Sequence, residues 1–253
     1  MERHEYEVMA HVEHTLWWYV GMRQIADAWL GTLPTTTTPR RILDAGCGTG
    51  GNLPWLRRYG QPMGFDYSAT ACTYAAQSGL PVAQASIEAI PFGAASFDLV
   101  TSFEVIYHKG VRDDVGALRE CLRILKPGGH LLLRLPAFEW LRGHHDARVH
   151  SERRYTHQQM IARVTAAGFV VQKSSYINTL LFPMALAQRV TERRSAEHAS
   201  AQSDLQLPSP FVNRLGLTAL GIEARLLQIG VQLPIGVSLL CLAQRPMTSQ
   251  TEQ

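Results

Sequence analysis

No stretch of this 253-residue chain is long enough to cross a membrane. Its longest apolar runs, "TLLFPMALA" and "LPIGVSLLCLA", stop well short of the ~20 residues a spanning helix needs. Cysteine is also scarce. Cys47, Cys72, Cys121 and Cys241 lie far apart with no CxxC pair, which argues against a zinc motif or a disulfide framework and for reduced thiols in a cytoplasm. Neither sign of charge dominates: 24 Lys and Arg against 21 Asp and Glu leave +3, too little for phosphate-driven nucleic-acid binding outside a local patch. The start, "MERHEYEVMAHVEH", carries acids and histidines where a secretion signal needs a basic start and an apolar core.

What remains is a globular composition, 46% apolar and 18% charged, at a length that suits one large α/β domain with additions. Met9, Val12, Leu16, Val20 and Trp29 recur with helical spacing and predict one amphipathic helix from Glu5 to Leu30, stopped by Gly31. "TLPTTTTP" reads as a polar linker. Beyond it, strand-like "RILDAG", "PMGFD", "FDLVTSFEV", "HLLLRLP" and "FVVQKSSY" alternate with helical segments, the rhythm of a parallel sheet covered on both faces. One of those helices opens on a capping box, Thr156 with Gln159. After Tyr176 the rhythm breaks into an apolar segment, the polar link "TERRSAEHASAQSD", an apolar helix near Asn213 to Ile229, and a last strand, "VSLLCLAQ".

"ILDAGCGTGG" sets Gly46, Gly48 and Gly51 in a GxGxxG frame after the first strand, with Asp66 further on, which fits a dinucleotide fingerprint. Asp44, two residues before the first glycine, points elsewhere. A carboxylate there would repel a pyrophosphate and attract the ammonium and sulfonium of S-adenosylmethionine. Together "ILDAGCGTG", "GFDYS", "QASIEAIPFGAASFDLV" and "LRECLRILKPGGHLLLRLP" resemble the successive motifs of class I S-adenosylmethionine-dependent methyltransferases, over about Arg40 to Gln172. The resemblance implies a Rossmann-like, doubly wound α/β sheet of seven strands with the last antiparallel. It divides the chain into an N-terminal helix and linker acting as a lid (1–39), a cofactor-binding core (40–177), and a helical insertion plus final strand (178–253). It also implies that Asp44, Gly46, Cys47, Gly48 and Gly50 lie against the methionine moiety, that Asp66 holds the ribose hydroxyls, and that Tyr67 packs on the adenine. Ser86 stands where the family usually has an aspartate for the adenine amino group; Ile87 and Phe103 complete the expected cofactor set.

Residues just after the fourth and fifth strands should face the reacting methyl group. "EVIYHKG" and "RGHHDARVHSERRYT" hold those places. The histidine-rich stretch has the alternatives of a metal site, a nucleic-acid patch, a solvated loop or an active-site loop. No acid-plus-histidine set completes a metal shell, so no metal is expected. His145 and His108 are the candidate bases, with His150, Arg154 and Tyr155 as substrate contacts. Trp17, Trp18 and Tyr19 cannot all face one core, so a lid touching substrate competes with plain packing. The leucine-rich insertion suits an apolar substrate pocket or a homodimer seam equally well. The expected activity is methyl transfer to a small-molecule or lipid-like metabolite. A cyclisation on the same fold and a protein or RNA methyltransferase are the alternatives.

Overall fold

Seven strands build one sheet in the computed structural model, which describes residues 3–194 and 208–247, with the backbone alone for Arg3, His144, His145 and residues 190–194. They are β1 (Arg40–Ala45), β2 (Gly60–Asp66), β3 (Val82–Gln84), β4 (Phe97–Phe103), β5 (Leu125–Pro136), β6 (Val170–Ile177) and β7 (Ser238–Gln244). Their order is β3-β2-β1-β4-β5-β7-β6. The pairs from β3 to β5 are parallel, and β7 runs antiparallel to both β5 and β6, between which it lies. The sheet is therefore the expected Rossmann-like one. Only β3, three residues long, had too little pattern to be read as a strand.

The alternation of side chains explains why the sheet is covered twice. Val100, Leu131, Leu133 and Cys241 look to one face, where α5 (Asp114–Ile124) and α7 (His157–Ala166) contribute Leu118, Cys121, Met160 and Val164. Leu99, Leu132, Leu240 and Leu242 look to the other, where α2 (Trp17–Leu30) and α9 (Pro210–Gln228) contribute Ile25, Trp29, Leu220 and Leu227. α7 opens on the expected capping box, with the Thr156 hydroxyl accepting from the Gln159 N–H and the Gln159 side chain accepting from the Thr156 N–H.

The single N-terminal helix expected from the spacing is instead two, α1 (Arg3–Val12) and α2, broken over residues 13–16. Glu13 lies at the break, and its carboxylate turns inward to accept from the Thr49 hydroxyl at 2.7 Å. α2 then restarts with its Trp17 N–H donated to Asn213 Oδ1 of α9, which satisfies one of the donors a helix start leaves orphaned. α2 is a layer of the core.

The insertion is tied down by a buried carboxylate. Glu223 of α9 accepts from the backbone N–H groups of Asn178 and Leu180, each at 2.7 Å, at the turn that follows β6 and leads into α8 (Phe182–Arg194). Glu223→Ala strands both donors in the interior and is expected to cost roughly 2–4 kcal/mol. Thermal unfolding checks this, and an unchanged melting temperature would show that the turn holds without the carboxylate.

Candidate active site

The C-terminal ends of β1, β2 and β4 carry the acids. Asp44, last but one in β1, is buried; its Oδ1 accepts from the Thr101 hydroxyl of β4 at 2.6 Å. Asn52 stands beside it, yet Oδ2 has no hydrogen-bond partner. Burial raises its pKa to about 6, with nearby Asp66 adding to the rise and Thr101 and Arg134 opposing it. Asp66 ends β2 and accepts from the Gly48 N–H at 2.9 Å and the Ser68 N–H at 2.8 Å, so it holds the glycine loop and the start of α4 (Ala69–Ala75) together. Burial raises its pKa too.

The loop between them needs its glycines. Gly46 has φ +80 and a Cβ there would meet Val105 at 2.4 Å; Gly50 has φ +89 and would meet the Ala75 backbone at 2.8 Å. Cys47 is buried, and burial pushes its thiol pKa up. Tyr67 is 79% exposed at the rim. The Ser86 hydroxyl accepts from the Glu88 N–H at 3.2 Å, and Ile87 is buried in the core beneath. Phe103, at the tip of β4, lies under the Arg134 guanidinium, 4.9 Å from its ring centre.

Above this floor lies α1. Met9 rests on Gly48, and Tyr6 stands against Asp66, Ser68 and Cys72. Three residues that no sequence pattern marked join this region: Glu13 on Thr49 and Gly51, Arg23 of α2, and Arg134 of β5. Arg23 donates through Nη2 to the Glu13 carbonyl, and its buried Nη1 has no partner. Arg134 is paired with Glu104, the residue after β4, at 3.1 Å. Glu104 could be placed from sequence at the methyl-facing edge; the others are brought in by the turn at 13–16 and by strand register, which spacing does not reveal.

The aromatic run separates. Trp17 packs on α9, where a Cβ on Gly216 would come within 2.5 Å of its ring, and it meets Trp18 edge-on at 5.8 Å. Trp18 joins the same core face. Neither is the substrate contact expected; only Tyr19 faces the charged floor, with Glu13, Arg134 and Arg23 around it and its pKa pushed up by burial.

The histidine-rich stretch is mostly architecture. Arg154, expected to touch substrate, is buried and bonded through Nε and Nη2 to both oxygens of Asp146 (2.8 and 3.1 Å) and through Nη1 to the Ala137 carbonyl. Burial alone would raise the Asp146 pKa, but the Arg154 bond and charge outweigh it and the net shift is downward. Tyr155, also expected at the substrate, is 2% exposed and donates its hydroxyl to Asp114 at 3.0 Å. Both are structural because a polar side chain taken out of water must find its partners inside. His108 is a second correction. Its Nδ1 accepts from the Gly110 N–H at 3.1 Å, so the neutral ring carries its proton on Nε2 and has no lone pair left to offer. Burial lowers its pKa to about 4, against a role as base near neutrality. The His108 and His150 rings lie 5.8 Å apart, and the Lys109 N–H donates to the His150 carbonyl, so the two loops are stitched together here. His145 lies in α6 (His144–Arg148); its side chain falls outside the described residues.

The strand order 3-2-1-4-5-7-6, with an acid near the end of β1 and another at the end of β2 around a glycine loop, is the arrangement expected of the class I S-adenosylmethionine-dependent methyltransferases, and residues 43–133 match the family model described as a methyltransferase domain. The core of this chain is such a domain, and S-adenosylmethionine is its cofactor. The chain is 40% identical over 113 residues to malonyl-[acyl-carrier protein] O-methyltransferase of Enterobacter lignolyticus, 43% of either chain. It thus spans under half the length of that curated relative. Among solved structures it resembles a Haloferax volcanii protein in complex with the Trm112 methyltransferase activator (TM-score 0.61, 20% identity, 96% and 98% of the two chains). It also resembles the [4+2]-cyclase SpnF (TM-score 0.58, 19% identity, 89% and 82%). The residues present fit the cofactor. Asp44 Oδ2 is a buried acceptor without a donor and Arg23 Nη1 a buried donor without an acceptor, the two signs that a molecule with cationic and carboxylate ends calls for.

Proposed function

We propose that the chain transfers a methyl group from S-adenosylmethionine to a small-molecule or lipid-like acceptor. The observation that carries the reading is the buried Asp44 carboxylate beside the glycine loop, whose Oδ2 is left without a partner. The bound cofactor supplies a methyl group on a cationic sulfur, ready for in-line attack. The residues of the chain bind, orient and exclude water. Asp44 attracts the cationic end, Arg23 takes the carboxylate, Asp66 accepts from the ribose hydroxyls, and Tyr67 covers the adenine. α1 closes from above with Met9 and Tyr6. Most of the rate then comes from holding the acceptor at reacting distance. An acceptor that carries a proton would give it to His145, the candidate base placed beyond β5. The leucine-rich insertion and the modest net charge favour a small apolar acceptor over RNA or protein.

Cell extract incubated with methyl-labelled cofactor tests the reading by mass spectrometry. A labelled small molecule together with released S-adenosylhomocysteine is expected; label confined to RNA or protein would overturn the substrate class. Within the site, Asp66→Ala is expected to weaken cofactor binding at least tenfold, about 1.5–3 kcal/mol for bonds to a charged acceptor. Calorimetry that finds affinity unchanged would remove the ribose assignment.

A further inference from the structure

α9 is apolar on two opposite sides. Leu220, Ala224 and Leu227 are buried in the core layer shared with α2. On the other side Phe211 (77% exposed), Leu215 (59%), Ile222 (48%) and, at the C-cap, Ile229 (76%) stand in water. At about 100° per residue these four positions fall within roughly 40° of one another, so they form one stripe. The insertion exposes Leu180, Met184 and Leu186 before it as well. A helix that is apolar all round is ordinarily covered all round, and here one side has no cover among the described residues.

Charge says what the cover is. Arg214 and Arg225 are exposed along one edge of the stripe. The one acid of α9, Glu223, is turned inward and occupied by the Asn178 and Leu180 N–H groups. The outer face therefore offers apolar side chains and two cations with no carboxylate among them. We propose that it docks on a lipid bilayer surface bearing anionic headgroups, the apolar stripe entering the boundary of the acyl chains and the arginines meeting the headgroups. A second copy of the chain fits less well. A two-fold contact sets the patch against itself, and the arginines would then meet a face without acids. The proposal rests on α9 and not on the methyl-transfer reading.

Co-sedimentation of the full chain with vesicles tests it. Binding is expected to an equimolar mixture of phosphatidylcholine and phosphatidylglycerol, with little to phosphatidylcholine alone, and it should weaken as salt is raised. Phe211→Ser with Ile229→Ser should lower partitioning about tenfold or more. Arg214→Glu with Arg225→Glu should remove the preference for anionic vesicles. These side chains point away from the core, so circular dichroism should show unchanged folding; Leu215→Ser with Ile222→Ser repeats the test should the first pair unfold. No binding at low salt, equal binding to both vesicles, or binding indifferent to every pair would overturn the proposal. Light scattering that finds a dimer dispersed by Phe211→Ser would overturn it in favour of a second copy.

Discussion

Replacing His145 by alanine is expected to slow turnover at saturating cofactor by ~10²–10⁴-fold with cofactor affinity nearly intact, whereas His108→Ala costs a few-fold at most. The asymmetry follows from hydrogen bonding. His108 Nδ1 is taken by the Gly110 N–H, which fixes the ring's proton on Nε2, and burial holds its pKa near 4. Such a ring is better placed to order a loop than to take the acceptor's proton. His145 sits on α6, which the buried Asp146–Arg154 pair anchors to the strand-five side of the site. Single-turnover rates for both variants separate the roles. A loss on His108→Ala as large as on His145→Ala would contradict the tautomer argument. A rate untouched by either would point to an acceptor that carries no proton to remove, such as a carbon nucleophile or a preformed anion.

Cofactor affinity should fall about tenfold as pH drops from 7 to 5, because a cation binds the ionised form of Asp44, whose pKa in the free protein is about 6. The sign for folding is opposite. A carboxyl whose folded pKa is raised stabilises the free protein below its unfolded value and loses that contribution as pH rises through about 6. The free protein should therefore lose stability over the same interval in which it gains affinity. Asp44→Asn should flatten both trends and raise the dissociation constant ~10²-fold, about 3 kcal/mol for removing one member of a buried charge pair. Calorimetry across this range decides it. A slope that survives in Asp44→Asn would belong to Asp66, whose pKa is also raised by burial.

The parts of this protein that could be read from sequence are those in which neighbours in the chain do the work. Asp44 and Gly46 to Gly50 form one local turn, and the Thr156 capping box closes over three residues. The misreadings share a cause. Helical spacing ran unbroken through Glu13 because nothing nearby in the chain announces Thr49, its partner 36 positions away. Arg154 and Tyr155 looked available for substrate because Asp146 and Asp114, which satisfy them, are brought in by the folding of the loops. Trp17 and Trp18 looked available to substrate until α9 was packed beside them. A polar or aromatic side chain is free only until its distant partner is known, and burial makes that partner obligatory.

The position of β7 has one more consequence. Because it runs against its neighbours, the chain leaves the sheet at Ile177 and re-enters at Ser238, and these two residues are paired with each other. The whole excursion between them starts and finishes at a single doorway on the rim of the sheet. Its two ends are fixed by the sheet, while α9 within it must keep the face that Leu220 and Leu227 turn to α2 and the sheet. Grafting that segment between relatives, with the α9 face toward α2 retained, should transplant acceptor preference while cofactor affinity holds.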